Sequence, residues 1–151
     1  MLSKKISILF ICLSLTYTSC TIAGTYYIRN LSNESTQVTM YLKENARLLD
    51  TDLGLPFKSE IQKVKKNSYK KLKETLSFEK ISPQHIQFDL PAQSMVLIGG
   101  GMNAKIFDVI AVEVNSPIQK DTFDFTYGVN EHTYWVGRLG GGYAAHYDIG
   151  K

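Results

Sequence analysis

The chain has 151 residues, with 17 Lys and Arg against 14 Asp and Glu. A hydrophobic fraction of 44% and a charged fraction of 21% exclude an intrinsically disordered chain, which would combine low hydrophobicity with high net charge. Lys4 and Lys5 belong to a segment that we expect to be removed, and without them 15 basic and 14 acidic residues remain. A nearly neutral domain gives no reason to expect nucleic acid as a partner, and we predict none.

The first residues have the pattern of an export signal. Lys4 and Lys5 precede an apolar stretch, residues 6–15, which is followed by small polar residues. A transmembrane helix needs about 20 apolar residues, so this stretch is too short to span a bilayer. A basic start followed by a short apolar stretch is typical of a signal peptide, and we assign residues 1–19 to it.

Cys20 follows this stretch directly. The segment Thr18-Ser19-Cys20 resembles the lipobox of bacterial lipoproteins: Ser19 fits the pattern, whereas Tyr17 stands where the family usually has Leu. The resemblance covers the first twenty residues and implies that Cys20 is acylated and becomes the first mature residue. It therefore implies a lipid-anchored protein of the cell envelope, at the outer membrane or on the periplasmic face.

The cysteine count favours lipid attachment over the alternative cleavage site. The sequence contains two cysteines, and Cys12 would leave with the signal peptide. The mature chain would then keep Cys20 without an intramolecular disulfide partner, which is unusual in an exported protein unless that cysteine has a function. Ordinary cleavage after Ala23 would instead release a secreted or periplasmic protein.

Residues 20–151 are predicted to form one β-rich domain. Alternating segments 25–31 and 36–42 flank a polar turn and predict a hairpin. Further strands are predicted within 86–90, 95–98, 106–114 and 122–127, and segments 133–136 and 143–149 are predicted to form a last pair. Short strands between frequent turns favour an antiparallel β-sandwich or a barrel-like domain. We expect its core to include the following residues: Val109, Ala111, Val112, Phe123 and Phe125.

The segment 58–76 is the exception to the strand pattern. Its apolar residues, at Ile61, Val64, Tyr69, Leu72 and Leu76, have the spacing of one inserted amphipathic helix. Between residues 58 and 73 there are seven lysines and one acidic residue. We predict a basic surface that meets anionic lipid or an acidic partner; the plain alternative is the solvated face of a helix. Its residues are Lys63, Lys65, Lys66, Lys70, Lys71 and Lys73.

Aromatic residues are concentrated near the C-terminus. Rings on a glycine-rich surface stack on sugars or anchor a protein partner, although in a β-sandwich such residues are more often core or strand-pair residues. We predict a binding patch for a glycan or a protein here. The residues of this predicted patch are Tyr134, Trp135, Arg138, Tyr143, His146 and Tyr147.

The sequence contains no recognisable catalytic or metal-binding motif. The histidines lack the spacing of zinc ligands, and no G-x-S-x-G segment is present. We therefore predict a non-catalytic binding or accessory module without a cofactor or metal. The alternative is a small exported enzyme or enzyme inhibitor that uses the C-terminal Tyr/His/Asp cluster. Convergence of ionisable side chains in a deep pocket would favour the alternative, and a shallow aromatic face would favour the module.

Overall fold

The computed structural model describes residues 23–46, 54–65, 68–102, 105–106, 108–117, 120–125, 134–137 and 143–151. Within these ranges the protein is mainly β, with twelve strands in two sheets and a single turn of 3₁₀ helix at Ser68–Lys71. The same ranges contain no α-helix.

The first sheet has seven strands. They are β1 (Ala23–Asn30), β3 (Leu55–Lys58), β4 (Glu74–Leu76), β7 (Ser94–Met102), β8 (Lys105–Ile106), β11 (Tyr134–Gly137) and β12 (Tyr143–Ile149). Their order is β11-β12-β1-β7-β3-β4, and β8 pairs with β7. Strands β1 and β12 are parallel, whereas the other pairs of described strands in this sheet are antiparallel.

The second sheet has five strands. They are β2 (Thr36–Leu42), β5 (Glu79–Ser82), β6 (His85–Leu90), β9 (Val109–Asn115) and β10 (Lys120–Asp124). Their order is β10-β9-β2-β6-β5, and all pairs are antiparallel. Among the described strands neither sheet closes on itself, so the barrel-like alternative is not the observed architecture.

The two sheets share one hydrophobic core. Tyr26 and Ile28 of the first sheet belong to the same buried cluster as Val38 and Met40 of the second. Because side chains alternate along a strand, every second residue of β1 and β2 points into this cluster. The arrangement is therefore sandwich-like.

A β-bulge determines which residues of β9 are buried. Tyr41 pairs with Ala111 and Leu42 pairs with Val109, which leaves Ile110 as the extra residue. The bulge shifts the alternation, so that Val109 is buried while Ala111 is half-buried. The prediction of a core position for Ala111 was therefore wrong. Core positions are confirmed for the other four residues: Val109, Val112, Phe123 and Phe125.

The predicted hairpin is not formed. Both strands exist, but β1 lies in the first sheet and β2 in the second. The turn between them is held by the buried side chain of Asn30, whose Nδ2 donates to the carbonyl oxygens of Glu34 and Leu90. The turn therefore carries the chain from one sheet to the other, and the apolar faces of both strands contact the shared core. The predicted last pair is confirmed, because β11 pairs with β12.

The predicted helix at 58–76 is wrong. Its apolar residues face different parts of the molecule: Val64 packs on one face of the first sheet, Leu76 packs against the shared core, and Tyr69 is exposed. A helix would hold all of them on one side. The last residues of the segment instead form β4, where Leu76 pairs with Leu55 of β3.

Candidate functional site

The face of the first sheet that points away from the shared core is covered by residues 59–73, which connect β3 to β4. We call this connection the strap; its residues 66–67 are outside the described ranges. Val64 of the strap is buried together with Tyr27, Met95 and Ala144 in a second, smaller apolar cluster. Because both faces of the first sheet carry apolar side chains, the outer face needs this cover.

Arg29 and Asp148 form an ion pair beneath the strap. They stand opposite each other in the parallel register of β1 and β12, which directs both side chains to the outer face. Arg29 Nε and Nη2 donate to the two carboxylate oxygens of Asp148, each at 2.7 Å. The Asp148 side chain is only 1% exposed, whereas that of Arg29 is 14% exposed. Bidentate geometry of this kind gives the strongest form of Arg–carboxylate contact.

His146 and the strap complete this cluster. His146 Nδ1 lies 2.9 Å from Asp148 Oδ1, and Nδ1 is the donor because an ionised carboxylate only accepts. Arg29 Nη1 donates to the carbonyl oxygen of Gln62 in the strap at 3.4 Å. Lys151 Nζ lies 4.0 Å from Asp148 Oδ2. The Asp148 carboxylate therefore joins β1 to β12, and Arg29 links this pair to the strap.

The cluster keeps Asp148 ionised. Burial alone raises the pKa of Asp148, but hydrogen bonds from His146 and Arg29, together with the attraction of their charges, outweigh burial. The pKa is lowered from 3.8 to about 2. Burial also raises the pKa of the neighbouring Tyr27.

A small cavity on the side of the shared core reaches His146, although neither Arg29 nor Asp148 lines it. The cavity that His146 helps to line has a volume of about 10 Å³, which is room for one water molecule at most. Two open clefts lie elsewhere: one of about 400 Å³ beside Phe78 and one of about 330 Å³ beside Pro117. As placed, the Arg29–Asp148–His146 cluster fastens the strap to the sheet.

The structure distributes the predicted aromatic patch over β11 and β12. Tyr134 pairs with His146 on the neighbouring strand, and Trp135 pairs with Ala145. Tyr143 begins β12. The side-chain placements of Tyr134, Trp135 and Tyr143, and all of Arg138, lie outside the described residues.

Two members of the predicted patch are described in full, and both are buried. His146 faces the strap, whereas Tyr147 faces the shared core, where its ring centroid lies 4.0 Å from that of Phe123. The Tyr147 hydroxyl donates to Asp121 at 2.9 Å. Neighbouring residues of a strand point to opposite faces, so these two side chains do not share a surface. Binding of a glycan or protein at the patch stays a prediction.

The predicted basic surface maps onto the strap. Within the described part of the strap the lysines are exposed: Lys63, Lys65, Lys70, Lys71 and Lys73. Lys66 lies outside the described residues, as does Cys20. Lys70 Nζ lies 6.0 Å from the ring centroid of Tyr69, which is itself exposed.

Neither a metal site nor a membrane-spanning helix is present in the part of the chain that the structure describes. In that part of the chain no group of three or more His, Cys, Asp and Glu side chains could hold a metal ion. The same residues form no helix that is both long enough and apolar enough to cross a membrane.

Comparison with known proteins places the chain in no group. No family model, curated protein or solved structure matches it.

Sequence reasoning missed Arg29 as a member of the cluster. The predicted C-terminal Tyr/His/Asp cluster covers His146 and Asp148, but Arg29 is 119 residues away from Asp148 along the chain. The available signal was weak: Arg29 interrupts the otherwise uncharged segment TYYIRNL. A charge on a strand that is buried on both faces requires a partner, but only the pairing of β1 with β12 identifies it.

Proposed function

We propose that the protein is exported, is anchored to the cell envelope through acyl chains on Cys20, and works there as a non-catalytic binding or accessory module. The observation that carries this proposal is the position of Cys20, which follows a signal-like segment and precedes β1 by three residues. Strand β1 lies between β12 and β7 inside the first sheet. An anchor at Cys20 would therefore attach to a strand that is paired on both sides.

The start of β1 also supports cleavage before Cys20 over cleavage after Ala23. Ala23 is the first residue of β1 and pairs with Met102, and Gly24 pairs with Gly101. Cleavage after Ala23 would remove a residue of the strand, whereas cleavage before Cys20 leaves the strand whole. Retention of every residue of β1 therefore supports the proposed cleavage before Cys20.

The anchor is tested by Cys20→Ser, with Cys12→Ser as the matched control inside the signal segment. We expect the unaltered protein and Cys12→Ser to have the intact mass of a chain that begins at Cys20 and carries acyl groups. Cys20→Ser should lack the acyl mass, because a serine hydroxyl does not replace the thiol in this modification. An intact mass that matches an unmodified chain beginning at Gly24 would refute the anchor.

The second candidate function, a small exported enzyme or enzyme inhibitor, has one supporting observation. The pair His146–Asp148 resembles the histidine and carboxylate of many acid–base sites. Against it, Arg29 donates hydrogen bonds to both carboxylate oxygens of Asp148. We therefore propose that this pair has a structural role. Loss of a measurable activity in His146→Gln, at unchanged stability, would instead favour the enzyme.

A further inference from the structure

The exposed side of the strap carries a concentrated positive charge. Lys58 Nζ lies 3.9 Å from the carboxylate of Glu60, the one acidic residue of the segment 58–73. Among the described residues, no carboxylate lies within ion-pair distance of the five strap lysines. Their mutual repulsion costs stability unless an anionic partner or solvent screens it.

The rest of the mature chain has the opposite charge. Of the 15 basic and 14 acidic residues that follow the signal segment, seven lysines and one glutamate lie between residues 58 and 73. The remainder contains eight basic and 13 acidic residues. An anionic surface therefore attracts the strap and repels the rest of the domain, so that charge alone selects one orientation.

Chain geometry places the strap within reach of a membrane-bound Cys20. Three residues from Cys20 to Ala23 span at most about 10 Å, and the four residues from Ala23 to Tyr27 rise about 13 Å along β1. Tyr27 belongs to the apolar cluster in which Val64 of the strap is buried. If only the start of β1 faced the bilayer, the strap would lie more than about 10 Å from the headgroups. This distance exceeds the screening length at 0.1 M salt, so the lysines would feel little attraction. A domain lying on its outer face would bring the lysines into contact.

We propose that the strap is a docking surface for anionic lipid headgroups, and that it lays the domain against the bilayer on the outer face of its first sheet. Tyr69 is 43% exposed among the lysines, and tyrosine is enriched at membrane interfaces. The cluster of Arg29, Asp148 and His146 holds the strap in place from below. The inference deepens the proposed lipid anchor, which brings the domain to the membrane.

The experiment measures lysine acetylation rates by mass spectrometry. The mature protein, isolated from the cells that export it, is mixed with vesicles of phosphatidylcholine alone or with added phosphatidylglycerol. We expect the strap lysines to be acetylated about fivefold more slowly on the anionic vesicles, the factor that corresponds to about 1 kcal/mol per lysine near such a surface. Lys43, Lys80 and Lys120, which lie on or beside strands of the second sheet, should keep their rates. High salt should abolish the difference.

Two variants with equal changes in net charge separate the strap from overall charge. The first variant combines three substitutions in the strap: Lys65→Gln, Lys70→Gln and Lys71→Gln. On anionic vesicles, the acetylation rates of its remaining Lys63 and Lys73 should return to the values measured on neutral vesicles. The second variant combines three substitutions outside the strap: Lys43→Gln, Lys80→Gln and Lys120→Gln. Its strap lysines should still be acetylated more slowly on anionic than on neutral vesicles.

Three results would overturn the docking surface: equal strap rates on both vesicle types, slowing on both types, or slowing of the second-sheet lysines as well. Failure to attach to neutral vesicles would refute the lipid anchor alone, because the difference in acetylation between vesicle types still decides the role of the strap.

Discussion

At the scale of single residues, Asp148 shows how a buried charge is tolerated. Its carboxylate receives two hydrogen bonds from Arg29 and one from His146, so that little of its acceptor capacity is left without a donor. A buried carboxylate without these partners would destabilise the folded protein, because burial disfavours the charged form. The lowered pKa of Asp148, about 2, records that the partners more than compensate for burial.

The lowered pKa predicts a loss of stability in acid. In the unfolded chain the Asp148 carboxyl titrates near its ordinary pKa of 3.8, so its contribution is present above that pH and is lost as pH falls towards 2. The contribution is about 2 kcal/mol. Asp148→Asn should lower the free energy of unfolding at neutral pH by about 2–4 kcal/mol, because Arg29 loses its charged partner. It should also remove this part of the acid dependence.

Urea unfolding at several values of pH between 2 and 6 measures both effects. The exposed Asp89 offers the matched control, Asp89→Asn, which should leave the unfolding free energy at neutral pH nearly unchanged. Similar losses in the two variants would contradict a special role for Asp148.

At the scale of elements, the strap shows why spacing alone did not identify the structure. Apolar residues three and four positions apart satisfy a helical pattern, but the chain had two apolar surfaces to cover rather than one. Val64 and Leu72 pack on the outer face of the first sheet, while Leu76 reaches the shared core through β4. Ser68 also favours a local turn, because its Oγ accepts a hydrogen bond from the Lys65 amide at 2.7 Å.

The two apolar residues Val64 and Tyr69 should differ in their effect on stability. Val64 is 1% exposed and Tyr69 is 43% exposed. Val64→Ala should lower the unfolding free energy by about 1–3 kcal/mol and speed tryptic cleavage in the strap, because the strap loses a buried contact. Tyr69→Ala should change the free energy by no more than about 0.5 kcal/mol. Thermal and urea unfolding would measure this; a larger effect at Tyr69 would show that the strap packs differently.

At the scale of the whole molecule, one core joins the two sheets. Phe123 of β10 and Tyr147 of β12 are in ring contact across the sandwich, and Tyr26 contacts Phe125 edge to face at 6.4 Å. A shared core predicts cooperative unfolding, since neither sheet can lose its partner without exposing its own apolar face.

Phe123→Ala tests this cooperativity. The buried side chain lies on the second sheet, whereas Trp135, the one tryptophan of the chain, lies on β11 of the first. We expect the free energy of unfolding to fall by about 3–5 kcal/mol. The urea midpoints measured by tryptophan fluorescence and by circular dichroism should shift by the same amount. Thr122→Ala, at an exposed position of the same strand, is the control. Separate midpoints for the two probes would show that the sheets unfold independently.

The sequence by itself determined the mainly β character, most of the strand positions and most of the tested core positions, because alternation of apolar and polar residues is a local property of a strand with one buried face. Pairing of β11 with β12 also followed, since neighbouring strands in the chain commonly pair. The sequence did not predict three other features: the separation of β1 from β2, the bulge at Ile110 and the cover on the outer face of the first sheet. Tertiary structure alone decided that β1 pairs with β12 and that Arg29 thereby meets Asp148. Every strand offers the same backbone donors and acceptors, so the choice of a distant partner depends on packing over the whole molecule.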